Sequence, residues 1–234
     1  FKVYRKGDVG CNLGGNTVLC LVQAQYQEGG DVMYLGTNSC LQYMQDGRFE
    51  DVIADDGNPV RGYVKCLYRS PEGKIYCGIS AEPGILEIYA KGKARWMVRN
   101  NPRIRGIQSI AQDVTGTLWL TSDRFGLFSV SKNGKGIRQF FCDENDRETF
   151  PCVCADGKGN VFAGSSSGLW RYNASGGFQL VSGAAAYQVN RLLAEADGSL
   201  LVGTNGDGVV RYTPSSGTFA PISSESNQLY IRGA

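Results

Sequence analysis

The stretch Gly164-Ser165-Ser166-Ser167-Gly168 has the Gly-x-Ser-x-Gly spacing of a hydrolase nucleophile elbow. A serine used that way needs a strand-to-helix turn and a base to take its proton, and the 234-residue chain contains no histidine. The same absence removes the usual general base near neutral pH and the commonest transition-metal ligand. Carboxylates remain as acid-base groups, in the pair Asp55 and Asp56 and in the cluster Asp143, Glu144, Asp146 and Glu148. Both groups fall between apolar runs, where acidic residues belong to solvated turns. The run Asp143-Glu144-Asn145-Asp146 crowds oxygen ligands but lacks the glycine and terminal glutamate of an EF-hand. The eight cysteines, at 11, 20, 40, 66, 77, 142, 152 and 154, contain no Cys-x-x-Cys pair that would mark a structural zinc site. Cys66 and Cys77 fall on neighbouring strands, so a bridge or a simple contact is open to them. Most of the thiols occupy apolar strand positions, the pattern of buried free cysteines acting as small hydrophobes. Neither a cofactor nor a metal is implied.

The elements around these residues repeat. An apolar alternating run closing on Gly or Thr occurs as Val32 to Gly36, Ile75 to Gly78, Leu118 to Thr121, Val161 to Gly164 and Leu200 to Gly203, with closing positions 42, 43, 43 and 39 residues apart. Each copy has an apolar strand upstream, two more downstream, and turn signals such as Glu72-Gly73, Thr115-Gly116, Lys158-Gly159 and Asp197-Gly198. Four short strands in about 40 residues make one antiparallel sheet, which cannot bury both faces alone. Radial stacking of neighbours solves that, and the 3.6-residue pattern of helical solenoids is missing. The expected fold is therefore an all-β, β-propeller segment with complete blades over residues 16–57, 60–100, 103–143, 148–183 and 186–224. Residues 1–8, with Phe1 to Tyr4 as a strand, and 225–234, with Asn227 to Ile231, are expected to belong to flanking blades of a larger, six- or seven-bladed ring, or else to pair with each other and close the ring. Without histidine, the lyase-type propellers that rely on it are excluded.

Charge and length narrow the partners. Twenty-four Lys and Arg against 22 Asp and Glu leave a net charge of +2, too little to gather phosphates, so no nucleic acid is expected. No apolar stretch approaches the roughly 20 residues that span a bilayer, so no membrane insertion is expected. Residue 1 is Phe and no signal-like start follows, which places any export signal outside this sequence.

In a propeller the connections entering each first strand and the turns between second and third strands emerge on one face. Arg61, Tyr63, Arg103, Arg105, Arg147, Phe150, Tyr187, Asn190 and Arg191 lie at the entrances, and Asn38, Glu82, Asp123, Arg124, Phe125, Asn205 and Asp207 on the turns. Aromatic faces beside planar polar groups suit sugar rings, and arginine forks suit carboxylate or sulfate groups on acidic glycans. The expected ligand-binding set is Asn38, Glu82, Arg105, Asp123, Arg124, Phe125, Tyr187, Arg191, Asn205 and Asp207.

The phrases Asp156 to Gly164 with Gly168-Leu169-Trp170-Arg171-Tyr172, and Asp197-Gly198 through Thr204 with Gly208 through Tyr212, resemble the two-component regulator propeller repeat. The resemblance spans residues 16–225 at repeat level. It implies a non-enzymatic periplasmic sensor of the kind found in hybrid two-component systems of gut Bacteroidetes. The parent chain would then carry paired seven-bladed propellers, a β-sandwich, a membrane helix and kinase modules as the partners of this segment. An oligosaccharide is the expected ligand. Two other functions fit the same fold: a protein-protein scaffold, expected to show an apolar face, and a carbohydrate-active enzyme, expected to place two carboxylates about 5 to 10 Å apart.

Overall fold

The computed structural model describes residues 3–26, 30–80, 83–141 and 148–222. These residues form five four-stranded antiparallel sheets, each with its strands in chain order, and one 3₁₀ turn at Ala184–Ala186; no α-helix occurs among them. The first sheet holds β1 (Val18–Tyr26), β2 (Gly30–Thr37), β3 (Leu41–Gln45) and β4 (Arg48–Asp51). The second holds β5 (Val64–Arg69), β6 (Ile75–Ile79), β7 (Gly84–Ala90) and β8 (Lys93–Arg99). The third holds β9 (Ile107–Gln112), β10 (Leu118–Ser122), β11 (Gly126–Val130) and β12 (Ile137–Phe140). The fourth holds β13 (Cys152–Ala155), β14 (Val161–Ser165), β15 (Gly168–Asn173) and β16 (Gly177–Leu180). The fifth holds β17 (Val189–Ala194), β18 (Leu200–Thr204), β19 (Val209–Thr213) and β20 (Thr218–Pro221). Every copy of the sequence repeat is one such sheet.

The N-terminal end departs from expectation. Val3 and Tyr4 are not in a strand: a turn in which Asp8 N–H donates to the Arg5 carbonyl and Cys11 N–H to that of Asp8 folds the chain back. Tyr4 instead sits edge-on against Phe49, with ring centroids 5.1 Å apart, beside Leu13 and Leu35. Phe1, Lys2 and the expected strand at Asn227 to Ile231 lie outside the described residues.

The chain divides into two compact units, Phe1–Ile107 and Gln108–Ala234. In the first, β5 packs on β1 and β2, and Val32, Tyr34, Leu41, Val64, Ile75 and Leu86 share one core. In the second, β13 packs on β10 and β17 on both β13 and β14. One core there gathers Trp119, Leu127, Phe140, Phe150 and Val161, and another gathers Phe162, Leu169, Val189, Val202 and Tyr212. The second strands β6, β10 and β14 are buried along their whole length. First strands are more open, with Leu21 and Leu193 exposed.

The closing glycines of the repeat have a packing reason. A Cβ on Gly36 would stand 2.6 Å from the Val64 carbonyl oxygen, and one on Gly164 would stand 2.3 Å from Val189 Cγ1. In both places the first strand of the following sheet passes directly over the glycine. The cross-strand partners are cysteines: Cys20 opposite Gly36, Cys66 opposite Gly78 and Cys152 opposite Gly164. A small apolar thiol fills the space beside a residue with no side chain. None of the seven described cysteines forms a disulfide, so Cys66 and Cys77 are not bridged; Cys142 lies outside the described residues. Burial pushes the Cys20 and Cys152 thiols up to about 12.

Candidate functional site

Two kinds of hairpin turn, at opposite ends of each sheet, use polar residues differently. Between first and second strands an acidic residue often organises the turn. Asp113 Oδ1 accepts from the N–H groups of Thr115 and Thr117 at 2.9 and 3.1 Å, while its Oδ2 accepts from Trp119 Nε1 at 2.8 Å. Asp156 Oδ1 accepts from the N–H groups of Lys158 and Asn160, and its Oδ2 from Asn160 Nδ2. Glycines at 116 and 159 supply the positive φ these turns require.

Between second and third strands the organiser is a buried hydroxyl. Thr37 Oγ1 accepts from the N–H of Cys40, Ser122 Oγ from that of Phe125, Ser165 Oγ from that of Ser167, and Thr204 Oγ1 from that of Asp207. This explains the serine-rich motif. Ser165 closes β14, donates to the Gly168 carbonyl and accepts from Trp170 Nε1 at 2.9 Å, and a hairpin follows it rather than a helix. Ser166 and Ser167 donate to Glu148. Burial raises the Glu148 carboxyl, but hydrogen bonds from Ser165 and Ser167 outweigh it and hold the group below the usual carboxylate range. A carboxylate stabilised in this way is a poor proton acceptor, and the hydrolase geometry does not form.

The hydroxyl carries the turn, so the side chains between it and the third strand are left to solvent. Asn38, Asp123, Arg124, Asn205 and Asp207 are all exposed, and Phe125 is half-buried. Entrances and second-to-third turns do share an end within a sheet: Asn38 N–H donates to the Thr17 carbonyl, Ser80 N–H to that of Tyr63, and Asn205 N–H to that of Gln188. In the fifth sheet this joins Asn205 and Asp207 to the entrance carrying Arg191, whose guanidinium is exposed and donates to the Asn190 carbonyl at 3.1 Å. Tyr187 is half-buried, with its ring centroid 5.2 Å from that of Phe219. Asp123, Arg124 and Phe125 form a separate cluster on one turn of the third sheet. Neither Asp123 nor Arg124 bonds to the fifth-sheet group among the described residues. In the first unit Asn38 and Arg105 are exposed; Glu82 and Arg147 lie outside the described residues.

Two entrance residues have other duties. Arg61 forms a fork-to-fork pair with Asp51 at 2.6 and 3.1 Å, tying its entrance to β4. Phe150 is 1% exposed and packs against Phe141 and Trp170, so no sugar reaches its face.

Sequence reasoning missed a cleft at the opposite end. A cavity of about 290 Å³ is walled by Asp156, Lys158, Asn160, Arg171, Asp197 and Ser199 among others, and one of about 570 Å³ by Arg171, Asn173, Gln179, Tyr172 and Tyr212 among others. Arg171 stands in both walls. A sequence signal existed: Trp170-Arg171-Tyr172 and Val210-Arg211-Tyr212 are equivalent, but the acidic residues on their turns differ.

Comparison with known proteins bears on the fold. No family model and no curated protein matches the chain. Among solved structures, an extracellular domain of BT4673, assigned as a hybrid two-component system of Bacteroides thetaiotaomicron, superposes with TM-score 0.71 at 20% identity over 97% of this chain. A catalytically inactive histidine-to-alanine variant of virginiamycin B lyase from Staphylococcus aureus, with quinupristin, gives 0.67 at 18% over 93% of this chain and 74% of its own. PorZ, a surface component of the type-IX secretion system of Porphyromonas gingivalis, gives 0.62 at 17% identity over 89% of this chain and 34% of its own. The chain spans 30% of the length of the BT4673 domain. Identities this low establish a shared fold.

Proposed function

We propose that this chain is a segment of a seven-bladed, extracytoplasmic propeller that senses a glycan fragment without turning it over, within a two-component signalling protein. The observation that carries the reading is the division of labour in the second-to-third turns. Buried hydroxyls at Thr37, Ser122, Ser165 and Thr204 hold the backbone, leaving the side chains of Asp123, Arg124 and Asp207 without a fold-keeping task, while Asn205 Nδ2 donates to Gln188 Oε1 at 3.2 Å. Exposed turn side chains on a rigid scaffold are where recognition is usually placed. The likeness to an extracellular domain of a two-component system supports the location and class, and the adjacent propeller, sandwich and kinase modules would be its partners in the parent chain.

Catalysis has little to draw on. The lyase variant that shares the fold lost activity with one histidine, and this chain has none. The serine motif is a satisfied hairpin. Calorimetry against a glycan panel tests the reading: binding is expected with Kd on the order of micromolar to millimolar, about −8 to −4 kcal/mol. A combined Asp123→Ala, Arg124→Ala variant should abolish it. Binding that survives both changes rejects this end as the site, and any product formed from the glycan rejects the non-enzymatic assignment.

A further inference from the structure

Arg171 and Arg211 occupy equivalent positions on the third strands of the fourth and fifth sheets, and their charges meet different fates. Arg211 forks onto Glu195, Nε to Oε2 at 2.8 Å and Nη2 to Oε1 at 3.1 Å. Glu195 and Asp156 are themselves equivalent, each opening a turn by a backbone bond to the residue four positions on, Ser199 and Asn160. Asp156 is one methylene shorter, and its oxygens are already taken by Lys158 N–H, Asn160 N–H and Asn160 Nδ2. Arg171 therefore settles for the neutral Asn160 Oδ1 at 2.6 Å and forms no ion pair among the described residues. The Lys158 ammonium also ends on a main-chain carbonyl, that of Asp197, while Asp197 Oδ1 accepts from the Ser199 N–H and hydroxyl.

We infer that the cleft between the fourth and fifth sheets is a second binding site, in which Arg171 forks onto the carboxylate of a small polyhydroxylated acid, a sugar acid. A guanidinium carries five N–H donors, so one bond to Asn160 leaves a fork for an anion. Lys158 adds a second cation on the same wall, and both oxygens of Asp156 and one oxygen of Asp197 are engaged within their own turns. Gln179 and Asn173 on the other side of Arg171 offer amides to hydroxyl groups, beside the phenols of Tyr172 and Tyr212. The two cavities, about 290 and 570 Å³, lie in the size range of small-molecule pockets. This site does not rest on the entrance-end reading.

The experiment is calorimetry of the chain with galacturonate, with galactose, with acetate and with a short glutamate-containing peptide. Galacturonate is expected to bind, galactose and acetate at least about tenfold more weakly, because one lacks the anion and the other the hydroxyl body. Arg171→Ala should weaken galacturonate at least about tenfold, and Arg171→Lys should restore only part of it, since an ammonium lacks the planar fork. Arg171 is exposed, and an unchanged melting midpoint confirms that these variants fold. The Asp123→Ala, Arg124→Ala variant should bind galacturonate as the parent does, which separates this site from the entrance end. Absent galacturonate binding, binding indifferent to Arg171→Ala, or equal affinity for acetate or the peptide would each overturn the inference.

Discussion

The contact between the first and second sheets and that between the third and fourth are built on the same repeat and filled in opposite ways. In the first, Gly36 lets Val64 pass close, and elsewhere in the same contact hydrogen-bonded phenols close the gap. The Tyr26 and Tyr34 hydroxyls lie 2.7 Å apart, and Tyr34 Oη accepts from Gly92 N–H in the second sheet at 3.2 Å. In the second, Thr121 replaces the closing glycine, and packed rings fill the contact: the Trp119 ring lies 4.5 Å from Tyr172, tilted, 5.7 Å from Phe178, edge-on, and 5.9 Å from Phe140, stacked. The repeat sets where a neighbouring sheet must approach. How the gap is closed varies from copy to copy, by polar pairing in one place and aromatic area in the other.

The aromatic contact should be the more sensitive to truncation. Trp119 is 4% exposed, and Trp119→Ala is expected to cost about 3 to 5 kcal/mol in urea unfolding, because its cavity is lined by rings too rigid to collapse. A loss below about 1 kcal/mol would mean that the rings repack. At the glycine contact the fault is overfilling: Gly36→Ala drives a methyl into the Val64 carbonyl and should cost about 1 to 3 kcal/mol. A neutral result would show that the first two sheets slide apart easily.

Much of this was legible in the sequence, but unevenly. Strand positions such as Leu118 to Thr121 and Val161 to Gly164 declare themselves through two-residue alternation and glycine turns, so five sheets follow directly. The entrance end was legible from repeat offsets alone, as the Asn205 to Gln188 bond shows. What was hidden depends on cross-strand register and neighbouring side chains. The pairing of Cys20 with Gly36 explains the cysteine content but lies sixteen residues apart in the chain. Arg61 and Phe150 looked like recognition residues until Asp51 and Trp170 took them. Arg171 looked like Arg211 until the shorter Asp156 left it without a carboxylate.

The polar contact predicts a smaller effect with a pH signature. Tyr34→Phe removes one hydroxyl and leaves Tyr26 Oη and Gly92 N–H without their partner, at a cost of about 1 to 2 kcal/mol. Burial, and then the bond to Tyr26, push the Tyr34 phenol above its ordinary value. The folded chain thus keeps a proton that the unfolded chain releases above about pH 10, so the parent should lose stability as pH climbs past that point. Urea midpoints across alkaline pH should show a shallower decline in Tyr34→Phe. Equal slopes in parent and variant would mean that the phenol is not held neutral.

The smallest effect should have the opposite sign. Thr121 is fully buried on β10, and its hydroxyl has no hydrogen-bond partner among the described residues. At the equivalent positions Gly36 and Gly164 no side chain fits, so Thr121 marks the one closing residue of these three whose neighbouring sheet leaves room for a Cβ. The contact needs the volume of the threonine and gains nothing from its oxygen. Burying an unpaired hydroxyl costs about 1 to 3 kcal/mol, and exchanging it for a methyl removes that cost while keeping the shape. Thr121→Val is therefore expected to stabilise the chain by about 1 kcal/mol in urea unfolding, after a small allowance for the extra bulk of the methyl. Destabilisation by Thr121→Val would mean that the hydroxyl has a partner in solution and that this contact, too, is closed by polar pairing.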